Sequence, residues 1–228
     1  MDMLILRNFI RNHATAGFHK SLRNVKDEWR ILRIHRRNLK LAVDFAVMDN
    51  LRLHLGCGNR IKSKWVNIDL FSSAADLNLD LREPLPFRTD SVSVIYSEHF
   101  LEHLVYPEEV SKFLSECIRI LKPKGLFSVG VPDTESCCRN YLNKNEEAFR
   151  IAREKGWHPQ RCNTLMHQVN YHFRQGEEHQ YAYDFQTLAQ VLAEAGFENI
   201  CRRQWSAEYD SPQWEVEGTL YADAYKPV

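Results

Sequence analysis

The sequence predicts an α/β protein: a doubly wound, mostly parallel seven-stranded sheet with an antiparallel last strand. Leu51, Leu53 and Leu55 alternate with Arg52 and His54 and run directly into Gly56 and Gly58, the pattern of a strand that turns sharply where it ends. Strand-like and helix-like periods then alternate down to Gly196, as they do when helices return the chain to a parallel sheet. Two strand-like stretches follow close together, Phe197 to Trp205 and Glu215 to Tyr225, so one of them returns antiparallel.

The elements follow in order. Residues 1–50 form a basic N-terminal extension, helical from about Asp27 to Ala46, with Leu32, Leu39, Val43 and Ala46 on one face and Arg30, Arg33, Arg37 and Lys40 on another. Only nine residues separate Leu55 from Trp65, fewer than a crossover with a full helix requires. The first crossover helix is therefore stunted or absent, and the N-terminal helix is expected on the face left bare or beside it. Trp65 to Ile68 is the second strand, Leu77 to Leu81 a brief third and Val92 to Ser97 the fourth. Pro107, Glu108 and Glu109 open a helix with an apolar stripe from Val110 to Leu121, which Lys122-Pro123-Lys124-Gly125 stops. Leu126 to Val131 is an apolar fifth strand ended by Pro132. Residues 133–183, polar and aromatic, read as a lid or substrate wall with a helix near Asn145 to Glu154. Asp184 caps the next helix, which Gly196 ends.

The 228 residues carry 30 basic and 30 acidic side chains, with ten basic against five acidic in residues 1–50. That arm suits packing on its own domain, or weak contact with a membrane surface or partner enzyme through residues 27–46. The lid has no single-sign stripe, so no nucleic acid is expected. The opening apolar run is too short for a signal and no stretch is long enough for a membrane span, which predicts a cytoplasmic protein. Six cysteines without Cys-x-x-Cys pairing read as free thiols, and His158, Cys162, His167 and His172 match no familiar metal spacing. No metal is expected.

Asp69 closes the second strand, where an acid is placed to accept hydrogen bonds from ribose hydroxyls. With the glycine loop it points to a nucleoside-bearing cofactor. A nicotinamide dehydrogenase would need a third glycine where Ile61 stands and an acid further on than Asp69.

Five segments in order resemble the Rossmann-like S-adenosyl-L-methionine-dependent methyltransferases: His54 to Asn59, Asn67-Ile68-Asp69, Leu85-Pro86-Phe87, Ser97 to His103 and Arg119 to Gly125. Glu177-Glu178-His179 and Tyr183-Asp184 are further similar to small methyltransferase-domain proteins of bacterial surface-polysaccharide gene clusters. The resemblance spans about Leu51 to Tyr225. It implies that Gly56, Cys57, Gly58 and Asn59 approach the methionine part of the cofactor, that Asp69 holds the ribose and that Asp80 and Leu81 flank the adenine. Ser97 and Glu98 would stand beside the sulfonium and amino group. Many relatives have an acid at the position of His54 and glycines at those of Arg60 and Lys124, so Glu98 is a candidate for holding the ammonium instead.

Transfer of a methyl group to a sugar hydroxyl requires loss of its proton, usually to histidine. His99, just past the fourth strand, and His179, in the lid, are the candidate catalytic residues; Tyr171, Phe173, Tyr181 and Tyr183 suit a wall against a flat or sugar acceptor. The expected activity is methyl transfer to a small-molecule or glycan acceptor. The alternative is an inactive cofactor-binding or scaffold protein partnered through the basic arm.

Overall fold

The computed structural model describes residues 14–214 and 218–228. The described residues begin with α1 (Ala16–Leu41) and α2 (Val43–Ala46), followed by β1 (Leu51–Leu55), β2 (Val66–Ile68) and β3 (Val92–Glu98). Helix α3 (Glu108–Ile120) leads into β4 (Leu121–Pro132), and α4 (Thr134–Leu142), α5 (Glu146–Glu154) and α6 (Leu165–Arg174) build the lid. The chain ends with α7 (Phe185–Glu194), β5 (Glu198–Arg203) and β6 (Thr219–Tyr225).

Among the described residues the sheet has six strands, in the order β2-β1-β3-β4-β6-β5. Pairing is parallel from β2 to β4, while β6 runs antiparallel to both β4 and β5. The antiparallel last strand is as expected; a seventh strand is not found among the described residues. Leu77 makes one parallel bridge with Ile68, and the chain from Asn78 turns its polar groups elsewhere. Part of the expected final strand, residues 215–217, lies outside the described residues, as do residues 1–13 of the basic extension.

Side chains of α1 explain why no further strand is added. The Asn78 N–H donates to Asn38 Oδ1 at 3.0 Å and the Asp80 N–H to His35 Nδ1 at 3.1 Å, so the outer edge is satisfied by a helix. This corrects the expected packing face. Val43 and Leu32 are exposed, Leu39 alone of the leucine stripe packs partly buried against the core, and the residues α1 buries are His35 and Asn38. The helix also starts earlier, where Thr15 Oγ1 accepts from the Phe18 N–H.

The two faces of the sheet differ. Leu53, Ile95 and Phe127 share one face, with Leu55 and Val129 two residues further along their strands; there Phe127 meets Phe113 of α3 and Phe197 just after α7. Register places His54, Tyr96, Ser128 and Asp223 in one row on the opposite face. Among the described residues an irregular segment, not an α-helix, covers that row. Residues 204–214 lie over it: the Tyr96 hydroxyl donates to Asp210, and Arg203 bonds Asp210, Asp223 and Ser128. The Lys62 ammonium donates to the Tyr209 carbonyl and sits 4.5 Å from the Tyr96 ring. The doubly wound arrangement is thus incomplete, as the missing first crossover helix requires.

Other expectations hold closely. Asp184 caps α7 by accepting from the Thr187 N–H, and a helix stands near Asn145 to Glu154 as expected, with Asn145 found to cap it by accepting from Ala148. The lid has three helices rather than one. Leu121 pairs with Val92 before the register shifts to Leu126 and Val94, so α3 has already ended at Ile120 and the Pro-Lys-Gly segment forms an irregularity inside β4, which starts at Leu121 and not at Leu126. All six cysteines are free. Among the described residues, no helix is long and apolar enough to cross a membrane.

Candidate active site

The ends of β1, β2 and β3 meet at one edge of the sheet. Gly56 and Gly58 both take positive φ, 69° and 52°, the region where a side chain strains the backbone. A Cβ on Gly56 would lie 2.7 Å from Phe100 Cβ, while one on Gly58 would meet nothing within 4 Å. Gly56 therefore permits a close packing contact, and Gly58 leaves open space above the loop. Asp69 holds that loop in place: Oδ2 accepts from the Gly58 N–H at 3.0 Å, and Oδ1 from Phe71 and Ser72 at 2.9 and 2.8 Å. Ser72 Oγ in turn donates to Asn59 Oδ1 at 2.9 Å. An ionised carboxylate offers about four acceptor positions, so Asp69 retains capacity for a ribose hydroxyl beyond these three bonds. Ser97 Oγ, fully buried at the end of β3, makes no hydrogen bond among the described residues. These features fit a bound nucleoside cofactor.

The remaining proposed cofactor residues are placed less directly. Burial pushes the Cys57 thiol up to about 12, so it is a neutral part of the loop. Leu81 packs in the core. Burial opposes the charge on Asp80, but Arg82 grips both its oxygens and holds it below the ordinary carboxylate range. The Glu98 carboxylate is buried and accepts from the Ser211 N–H and hydroxyl and from Tyr221 Oη at 3.0 Å. His54 is buried too, and loss of water, reinforced by nearby Lys62, pushes it down to about 3.

Beyond β3 the chain turns at His99, whose φ is 54°, into a short helical turn, Leu101–His103. His99 Nε2 lies 3.0 Å from Thr219 Oγ1, and its Nδ1 lies 3.3 Å from Glu102 Oε1. The lid closes over this turn, since Gln180 and Tyr181 both donate their N–H groups to the Glu102 carbonyl. His179 is thereby brought to the His103 ring, with centroids 5.1 Å apart. Between the lid and the ends of β3 and β4 lies a cavity of about 270 Å³ lined by His99, His172 and His179, with Phe149, Trp157 and Tyr171 among its walls. A second cavity, of about 660 Å³, shares His99, Trp157 and Tyr171 with it and is lined by Glu102 and His103 as well.

The two candidate catalytic histidines thus border one space. Of the four aromatic candidates only Tyr171 lines it; Tyr183 is buried against Tyr181, which stacks on Tyr106. Glu102 and His103 are brought to the site with them, a pair that sequence reasoning left aside. Their adjacency in the segment Ser97 to His103 was the available signal.

Residues 53–129 match the model of a methyltransferase domain. No curated protein matches the chain. A chain of the complex formed by the Haloferax volcanii Trm112 methyltransferase activator superposes with a TM-score of 0.50 at 16% identity, over 89% of this chain and 96% of that one. An S-adenosylmethionine-dependent methyltransferase from Archaeoglobus fulgidus gives 0.47 at 15% identity, over 87% and 94%. One from Methanosarcina mazei gives 0.47 at 15% identity, over 82% and 97%. The architecture is a Rossmann-like methyltransferase fold, and the matched segment, which contains the glycine loop and Asp69, supports S-adenosyl-L-methionine as the cofactor.

Proposed function

We propose that the protein is an S-adenosyl-L-methionine-dependent methyltransferase acting on a small-molecule or glycan acceptor in the assembly of cell-surface polysaccharide. The observation that carries this reading is an adjacency along β3: the strand ends beside the glycine loop and continues directly into His99, which lines the cavity under the lid. When bound, the cofactor supplies an electrophilic methyl group. The chain's residues do the rest. Gly58 leaves space for the cofactor's approach, Asp69 accepts from its ribose, and the lid excludes water and aligns the acceptor. His99 and His179 are the groups placed to take a hydroxyl proton, and Trp157 and Tyr171 offer ring faces to a sugar. The similarity of Glu177-Glu178-His179 and Tyr183-Asp184 to polysaccharide-cluster proteins supports the acceptor class.

The scaffold alternative draws on α1, which leaves Val25 and Trp29 exposed. Docking of the helix through His35 and Asn38 favours a structural role for it instead, with any membrane-surface or partner-enzyme contact confined to its outer face. Incubation with methyl-labelled S-adenosyl-L-methionine and a panel of nucleotide sugars and oligosaccharides tests the proposal. Label should reach a sugar hydroxyl, and His99→Ala should lower the rate about 10²–10⁴-fold. Cofactor binding without transfer to any hydroxyl acceptor in the panel would favour the scaffold.

A further inference from the structure

Glu102 is a buried carboxylate that the proposed methyl transfer does not use. Its side chain is 2% exposed, and neither oxygen makes a hydrogen bond within good geometry among the described residues. Two imidazoles stand beside Oε1, His99 with Nδ1 at 3.3 Å and His103 with Nε2 at 3.9 Å. One oxygen of Glu102, one ring nitrogen of His103 and one of His179 lie within 4.8 Å of one another.

The tautomers of both histidines are set from behind. His103 Nδ1 lies 3.1 Å from the Glu178 carbonyl, and His179 Nδ1 lies 2.7 Å from the His172 carbonyl. A carbonyl only accepts, so both Nδ1 atoms carry the proton and both Nε2 atoms present a lone pair. This is the arrangement by which proteins orient metal-binding imidazoles. Two imidazoles and one carboxylate, beside a cavity that leaves further positions open, make a donor set suited to a divalent transition metal.

We propose that Glu102, His103 and His179 bind one divalent transition-metal cation through one carboxylate oxygen and two Nε2 atoms, with an open position facing the cavity that Glu102 and His103 line. A four-coordinate cation with ligands at roughly 2.1 Å holds them about 3.4 Å apart, so rotation of the two half-buried imidazoles closes the site. Binding of the cation does not depend on the methyltransferase reading; only its use does. On that reading the cation takes the acceptor hydroxyl at its open position and promotes loss of the proton to solvent. The oxygen then bonds to the methyl carbon, the carbon–sulfur bonding pair returns to sulfur, and S-adenosylhomocysteine leaves. His179 serves as a ligand in that case, not as the base.

Titration of chelator-treated full-length protein with Co²⁺, followed by visible absorption and competed with Zn²⁺, tests the site. One equivalent should bind with the weak visible bands of nitrogen and oxygen ligation and be displaced by Zn²⁺. His103→Ala and His179→Ala should each weaken binding by at least roughly 10–100-fold, with circular dichroism confirming that both variants remain folded. Failure of the wild type to bind, unchanged affinity in the folded variants, or an intense near-ultraviolet band from cysteine ligation would overturn it. A parallel S-adenosyl-L-methionine titration separates the two ideas. Cofactor binding without Co²⁺ removes the metal site alone, and Co²⁺ binding without cofactor removes the methyltransferase reading alone.

Discussion

His54 shows how one residue can depart from the pattern that the resemblance implies and still be accommodated. Where that pattern has an acid, this imidazole is buried beside Tyr96, with ring centroids 5.2 Å apart, and within reach of the Lys62 charge. It stays neutral because both burial and Lys62 disfavour the imidazolium, which brings it down to about 3 from an ordinary 6.5. Between those values the unfolded chain binds a proton that the folded chain does not, so stability falls as pH falls. Urea unfolding at pH 7.5 and 5.5 should show a loss of about 1.4 kcal/mol from this residue alone. His54→Asn should reduce the wild-type pH dependence by that amount; equal dependence in both proteins would mean that His54 is protonated in the fold. The residue type and strand position were legible in the sequence. Its neutrality was not, because that depends on burial first and then on Lys62, which the loop folds back over the sheet.

At the scale of elements, local signals were read well and long-range side-chain pairings were not. Asp184, Asn145 and the Gly56-Cys57-Gly58 turn act within a few residues of themselves, so their chemistry lies open in the sequence. The third strand failed for the opposite reason. Leu77, Leu79 and Leu81 alternate as a strand should, but Asn38 and His35, some forty residues earlier, take the N–H groups another strand would have used. Asn38→Ala would leave the part-buried Asn78 N–H without its acceptor and should cost about 1–2 kcal/mol in denaturant unfolding. An unaltered midpoint would show that water replaces the helix at this edge. Glu102 and His103 were set aside for the same reason, since they meet His179 only when the lid docks on the Glu102 carbonyl.

Across the whole molecule, absence of the first crossover helix organises the rest. One face of the sheet is an ordinary apolar core under α3 and α7, while the other is covered by residues 204–214 through Arg203, Asp210 and Tyr209. Composition and periodicity predicted the first face, because its strands are apolar and α3 has a clear stripe. The second face was illegible, because its cover is an irregular segment held by buried polar groups and rings. This asymmetry leaves the carboxyl edge intact: the glycine loop, Asp69 and the end of β3 meet the lid there, and the methyltransferase assignment rests on that meeting. Calorimetric titration of the purified chain with S-adenosyl-L-methionine and S-adenosylhomocysteine, beside folded Asp69→Ala, tests it most directly. Micromolar binding of both by the wild type and its loss in the variant is the predicted result; no detectable binding by the folded wild type would contradict the assignment.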